Sequence, residues 1–177
     1  VKVAHTTSSY NHNDFEAPLN DPDASFIFWD DMENGGGQWS AESPWDLTDN
    51  AWHSYSHAWE TDIAGSQSDL TTIGLDVPAD FDITLRFRTC YSMQSAGDAG
   101  HLQASIDGSE WTSLDSYTGS TPHWTTEFLD LSQFQGTSGL QLRFKAASES
   151  GVLWYIDDVA LVSGTAKQYT YLPLILK

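Results

Sequence analysis

The sequence predicts an all-β chain, a two-sheet antiparallel β-sandwich of jelly-roll type, on three observations. Short runs alternate apolar and polar residues with a period of two, the pattern of a strand with one buried and one wet face. These runs recur at regular spacing, separated by Gly, Asn, Asp and Pro. No stretch carries a convincing helical period, apart from one turn expected around Leu131-Ser132-Gln133-Phe134.

Taken in order, residues 1–24 are polar and crowded with turn formers (Asn11-His12-Asn13-Asp14, Asn20-Asp21-Pro22-Asp23), which predicts a linker or irregular arm. The sandwich itself is expected over residues 25–163. Strands are expected at 26–32, 57–62, 69–77, 81–91, 101–106, 111–118, 123–131, 139–147 and 152–162. The clearest alternations set Phe81, Ile83, Leu85, Phe87 and Thr89 against Asp82, Thr84, Arg86 and Arg88. A second sets Leu140, Leu142, Phe144 and Ala146 against Gln141, Arg143 and Lys145. Asp107-Gly108 between two such runs is a hairpin signal. Residues 164–177 change character: a linker, Gly164-Thr165-Ala166-Lys167-Gln168, precedes the apolar Tyr169-Thr170-Tyr171-Leu172-Pro173-Leu174-Ile175-Leu176-Lys177. That tail reads as an added edge strand, a docking segment or a sorting signal.

A length of 177 residues suits one domain. Seven Lys+Arg against 25 Asp+Glu give a formal net charge of −18. That balance argues against nucleic acid and against an anionic membrane surface, both of which need basic patches. A single cysteine, Cys90, excludes an intrachain disulfide, and its place in a strand-like run predicts a buried, inert thiol. No apolar run approaches the roughly 18 residues of a membrane span. The start Val1-Lys2-Val3 lacks a basic-then-apolar leader pattern, so a signal peptide is read as absent or already removed.

The acidic residues that demand an account lie inside apolar strand patterns. Trp154-Tyr155-Ile156-Asp157-Asp158-Val159-Ala160-Leu161 places two carboxylates in a run of aromatic and branched residues. Burying unpaired carboxylates is costly, and with so few Lys and Arg a metal ion is the expected source of compensation. Phe28-Trp29-Asp30-Asp31-Met32-Glu33-Asn34 would supply further oxygens. The sequence therefore predicts a calcium ion held by Asp31, Glu33, Asp157 and Asp158, tying the first strand to the last. Asp31 and Glu33 are expected to share one strand face. Asp157 is expected to point coreward with Val159 and Leu161, and Asp158 the other way.

Several motifs, in order, resemble one family. Asp31-Met32-Glu33-Asn34-Gly35 with Trp39, Pro44-Trp45-Asp46-Leu47-Thr48 with His53-Ser54 and Trp59, and Ser105-Ile106-Asp107-Gly108-Ser109-Glu110-Trp111 are the first three. Trp124 with Leu129-Asp130-Leu131-Ser132 and Leu142-Arg143-Phe144, then Trp154-Tyr155-Ile156-Asp157-Asp158-Val159, complete the set. Together they resemble the MAM-like, galactose-binding-like sandwich domains that follow secreted peptidases of the immune-inhibitor-A type. The ending is also similar to carbohydrate-binding modules of families 4, 9 and 22. The resemblance implies a non-catalytic, calcium-stabilised accessory domain of a secreted or cell-surface protein, with carbonyls near His53 and Ser54 completing the calcium shell. Tyr55 stands where the family has glycine after His-Ser, and Met32 where it has phenylalanine.

Other chemistry finds little support in the residues. His53 and His57 lack further ligands at zinc spacing, and no His-Glu-x-x-His or Gly-x-Ser-x-Gly occurs. Aromatic rings stack on the apolar C–H faces of sugars, and Trp52 and Tyr55, in a turn-like stretch, are the candidates for ligand contact. Trp39, Trp59, Trp124 and Trp154 are assigned to packing, and Trp111 to bracing its hairpin. The expected partners are calcium, a glycan or extracellular protein, and an adjacent domain of the same polypeptide. The rival readings are a carbohydrate-binding module, a glycosidase or lyase on a jelly roll, for which no ionisable cluster has convincing spacing, and a structural module of a surface assembly.

Overall fold

The computed structural model describes residues 25–93 and 95–164. The arm at 1–24 and the tail at 165–177 lie outside the described residues. Twelve strands form two antiparallel sheets: β1 Ser25–Asp30, β2 Trp39–Ala41, β3 Asp46–Thr48, β4 Ala58–Ile63, β5 Gln67–Thr72, β6 Ile83–Met93, β7 Ala99–Ser105, β8 Thr112–Tyr117, β9 Gly119–Ser120, β10 Thr125–Asp130, β11 Gln141–Ala147 and β12 Val152–Ser163. One sheet runs β10-β6-β12-β4-β3, with β1 also on β12 and β9 also on β6; the other runs β2-β5-β11-β7-β8. The sandwich expected from the alternation is the fold observed. The expected turn at 131–134 is a short 3-10 helix, Ser132–Phe134. Strands β2, β3 and β9 went unforeseen because two or three residues carry no readable period.

Alternation places the core. Leu142, Phe144 and Ala146 of β11 and Ile83, Leu85 and Phe87 of β6 are fully buried between the sheets. Aromatic rings fill much of that space: Phe87 meets Phe144 at 5.1 Å between centroids, and Trp154 meets Trp45 at 5.7 Å and Phe144 at 5.9 Å. Trp39, Trp59 and Trp154 are buried as packing residues. Trp124 instead packs in a separate cluster with Ala51, Cys90 and Tyr155. Cys90 is buried there as a free thiol.

Strand β12 organises the larger sheet. It pairs along one edge with β6 throughout, while its other edge is shared: β4 takes Val152 to Ile156 and β1 takes Val159 to Ser163. Asp157 and Asp158 fall in the gap between those two partners. The register against β6 slips there, from Asp157 opposite Arg88 to Ala160 opposite Arg86, and Asp158 has a left-handed φ of 50°. A bulge of one extra residue reverses the alternation. Val152, Trp154 and Ile156 face the core before it, and Val159 and Leu161 after it. Asp157 therefore shares its side with Tyr155 on the outer face, and the coreward orientation expected from Val159 and Leu161 is corrected.

The first acidic run is corrected too. Strand β1 stops at Asp30, and Met32, with a φ of 64°, turns its side chain into the core. Asp31 and Glu33 thus belong to a turn rather than to one strand face.

Candidate functional site

Loop 49–57, between β3 and β4, crosses the outer side of the larger sheet over the β12 bulge, and carboxylates grip it at two points. Asp157 Oδ2 accepts the His53 and Ser54 amides at 2.7 and 3.0 Å, and its Oδ1 accepts the Asp158 amide at 2.7 Å. Asp158 Oδ2 lies 2.7 Å from His53 Nδ1. Four residues on, Glu33 Oε1 accepts the Ser56 and His57 amides, the second at 2.7 Å, and Oε2 takes the Ser56 hydroxyl at 3.1 Å. Between the two grips, Tyr55 projects outward at 78% exposure.

Asp157 is completely buried. Burial pushes its carboxyl pKa up, the neighbouring Asp158 adds to that, and the amides of His53, Ser54 and Asp158 oppose both. Arg88 stands opposite it in the ladder but gives its guanidinium to Thr126. N–H dipoles thus supply part of the compensation that the buried carboxylate needs, and burial still outweighs them.

The predicted ligands suit calcium unevenly. Asp158 Oδ1 is buried without a hydrogen-bond partner, an oxygen open to a cation. The oxygens of Asp157 and Glu33 instead face amide donors, and Asp31 Oδ1 accepts the Glu33 amide at 3.3 Å. Among the described residues, no three His, Cys, Asp or Glu side chains converge as they would on one metal ion. His53 and His57 go separately to Asp158 and Glu33.

Two buried carboxylates were not singled out by sequence. Asp30 Oδ2 accepts Trp39 Nε1 at 2.7 Å and its Oδ1 the Met32 amide at 2.8 Å; burial raises its pKa against those two bonds. Asp98, before β7, accepts the amides of Glu149 and Ser150 at 2.9 and 3.0 Å. It also accepts the hydroxyls of Ser148 and Ser150 at 3.1 and 2.9 Å. Asp30 lies in the acidic run at 28–34 but was passed over for Asp31 and Glu33, and Asp98 stands in a turn with no strand pattern to mark it.

The second candidate surface is the outer face of the smaller sheet. Ser40, Thr71, Arg143, Gln103 and Ser113 stand in one row across its five strands. Asp69, Lys145, His101 and Ser116 make the next row across four. Arg143 Nη1 donates to Asp69 Oδ2 at 2.9 Å and Nη2 to Gln103 Oε1 at 2.6 Å. Its guanidinium lies 3.8 Å from the centre of the Trp111 ring, so Trp111 serves this face as well as its hairpin. The sequence marked Gln141, Arg143 and Lys145 as a wet face but held nothing that linked them to Trp111, 32 positions away in the chain (143 − 111). Of the aromatics assigned to ligand contact, Tyr55 is exposed and Trp52 half-buried.

No family model matches the chain. It is 26% identical over 157 residues to bacillopeptidase F of Bacillus subtilis (strain 168), a match covering 77% of this chain and 11% of that protein. The chain thus spans about a tenth of that relative's length. Among solved structures, a xylan-binding domain of carbohydrate-binding module family 22 superposes with a TM-score of 0.58 at 18% identity, over 81% of this chain and 99% of that one. A family 61 carbohydrate-binding module in complex with β-1,4-galactotriose gives 0.56 at 16%, over 77% and 97%. The K3 cleaved adhesin domain of Lys-gingipain from Porphyromonas gingivalis gives 0.58 at 16%, over 77% and 98%. At these identities the likeness shows a shared sandwich fold.

Proposed function

We propose that this chain is a non-catalytic, glycan-binding accessory domain of a longer protein that works outside the cell, a peptidase by its likeness to bacillopeptidase F. The observation that carries the reading is the polar face of the smaller sheet. Sugar hydroxyls are met best by planar groups that donate and accept in fixed directions, and sugar C–H faces by an aromatic ring. Arg143, Gln103 and Asp69 hold one another in place beside Trp111, so little side-chain entropy remains to be lost on binding. The xylan- and galactotriose-binding neighbours lend this reading support through fold alone.

Titration calorimetry with xylohexaose, β-1,4-galactotriose and a wider panel of soluble oligosaccharides tests it. Trp111→Ala and Arg143→Ala are expected to weaken the best ligand at least tenfold, in line with roughly 1.4 kcal/mol per lost contact set. Tyr55→Ala is expected to leave it unchanged. Absence of binding across the panel, or loss in Tyr55→Ala alone, would refute this placement and return attention to loop 49–57.

Calcium stabilisation is a second proposal, favoured by the unpartnered Asp158 Oδ1. Asp158 would hold the ion, and Asp157, Glu33 and Asp31 would join it by turning from the amides they accept, the ion supplying the positive charge that buried carboxylates lack. A bound ion stabilises by RT ln(1 + [L]/Kd), so melting in millimolar calcium should exceed melting in excess chelator by several degrees. Equal melting would leave the amides of loop 49–57 as the whole compensation.

A further inference from the structure

We propose that the outer face of the larger sheet is a docking surface for the chain's own apolar segment 169–177. The register sets Trp29 of β1, Ala160 of β12, Arg86 of β6 and Phe128 of β10 in one row across four strands. Phe26, Val162 and Thr84 form the row beside it. Phe26 and Trp29 are each 37% exposed and Phe128 is 61% exposed, so three of the large exposed apolar side chains gather on this one face. Between them, Ala160 and Val162 make a small apolar patch of their own, separate from the main core and nearly inaccessible. Outward-facing residues this inaccessible are covered, and an extended apolar segment laid between the flanking rings is the cover proposed.

The occupant follows from chain continuity and composition. Strand β12 carries Ala160 and Val162 and ends at Ser163, and the Gly164 amide bonds Asp82 O beside the start of β6. Strand β12 therefore ends beside the start of β6, at one end of these two rows. Residues 165–168 can reach about 13 Å at roughly 3.3 Å per residue, while β12 and β10 are about 10 Å apart at 4.8 Å per strand spacing. The nine residues that come next hold Tyr169, Tyr171, Leu172, Leu174, Ile175 and Leu176 and no acid, in a chain with 25 acids. Elsewhere on so acidic a surface a run this apolar finds little to bury against.

The test is a double-mutant cycle on the full chain. The tail variant Leu172→Asp/Leu174→Asp/Leu176→Asp is combined with the face variant Trp29→Ser/Phe128→Ser, and bis-ANS binding, Tm and sedimentation are read for all four proteins. The expected result is a several-fold rise in dye binding and a Tm loss of several degrees in the tail variant, with the same tail change nearly silent on the altered face. Additive losses, or a tail variant that behaves as wild type, would overturn the proposal. So would a wild-type dimer that the tail variant dissociates, because the occupant would then be a second copy. The oligosaccharide titration reads the opposite sheet and is independent of this outcome.

Discussion

Replacing Asp157 by alanine is expected to cost the fold about 3 kcal/mol or more, the penalty for removing one partner from a buried charged network. The loss comes from what stays behind. The amides of His53, Ser54 and Asp158 all donate to this carboxylate, and alanine offers them no acceptor in its place. Domains of this size hold roughly 5–15 kcal/mol in total, so the midpoint of urea unfolding should fall far enough to read directly. Asp157→Asn should lose less, since its carbonyl can serve the two loop amides while its NH2 group opposes the Asp158 amide. A midpoint for Asp157→Ala within 0.5 kcal/mol of wild type would mean that Glu33 and Asp158 hold loop 49–57 without it. Running the same pair in calcium and in chelator separates the two accounts of this site. An amide-held loop loses its stability to the mutation in both solutions, whereas a metal-held loop loses it only where calcium is present.

The acidic pair shows how far sequence reasoning reached. That Asp157 and Asp158 needed compensation was legible, because two carboxylates interrupt an otherwise apolar strand. Where they point was not. A one-residue bulge inverts every later side chain, and alternation read from Val159 and Leu161 assigns Asp157 to the wrong face. The bulge falls where β1 and β4 meet end to end along β12, a long-range fact with no local signature. The same holds for Met32, whose left-handed backbone ends β1 two residues before its apolar pattern does. The sandwich itself was legible for the opposite reason. Long strands such as β6, β11 and β12 carry enough alternating positions for the period to rise above noise, and their order follows from many short turns. The polar face of the smaller sheet was half legible: β11 showed its wet side, but only the pairing of β11 with β7 brings Gln103 to Arg143.

Asp98→Ala should be second only to Asp157→Ala in effect, with a distinct dependence on pH. Asp98 is buried at the point where the turn after β6 meets the turn between β11 and β12. The Ser150 amide is the chief cause of its lowered pKa, with the Ser150 hydroxyl and the amides of Glu149 and Gly151 adding to it against burial. A carboxyl whose folded pKa lies below its unfolded value of about 3.9 binds fewer protons in the native state, so its stabilisation is complete above that value. The contribution drains away as pH falls from about 4 toward the folded pKa. Wild type should therefore lose melting temperature steeply on acidification below pH 4, and Asp98→Asn should show a shallower slope from a lower start. Above pH 5 the difference between the two should be constant. Parallel slopes below pH 4 would show that the proton goes elsewhere, with Asp107, whose carboxyl is lowered by the amides of Glu110 and Ser109, as the next group to replace. The contrast with Asp157 is physical: both carboxylates are buried among N–H donors, but Asp98 also accepts the Ser148 and Ser150 hydroxyls, whereas Asp157 shares its bulge with Asp158. At Asp157 burial outweighs the donors and Asp158 adds to it, whereas at Asp98 the donors outweigh burial.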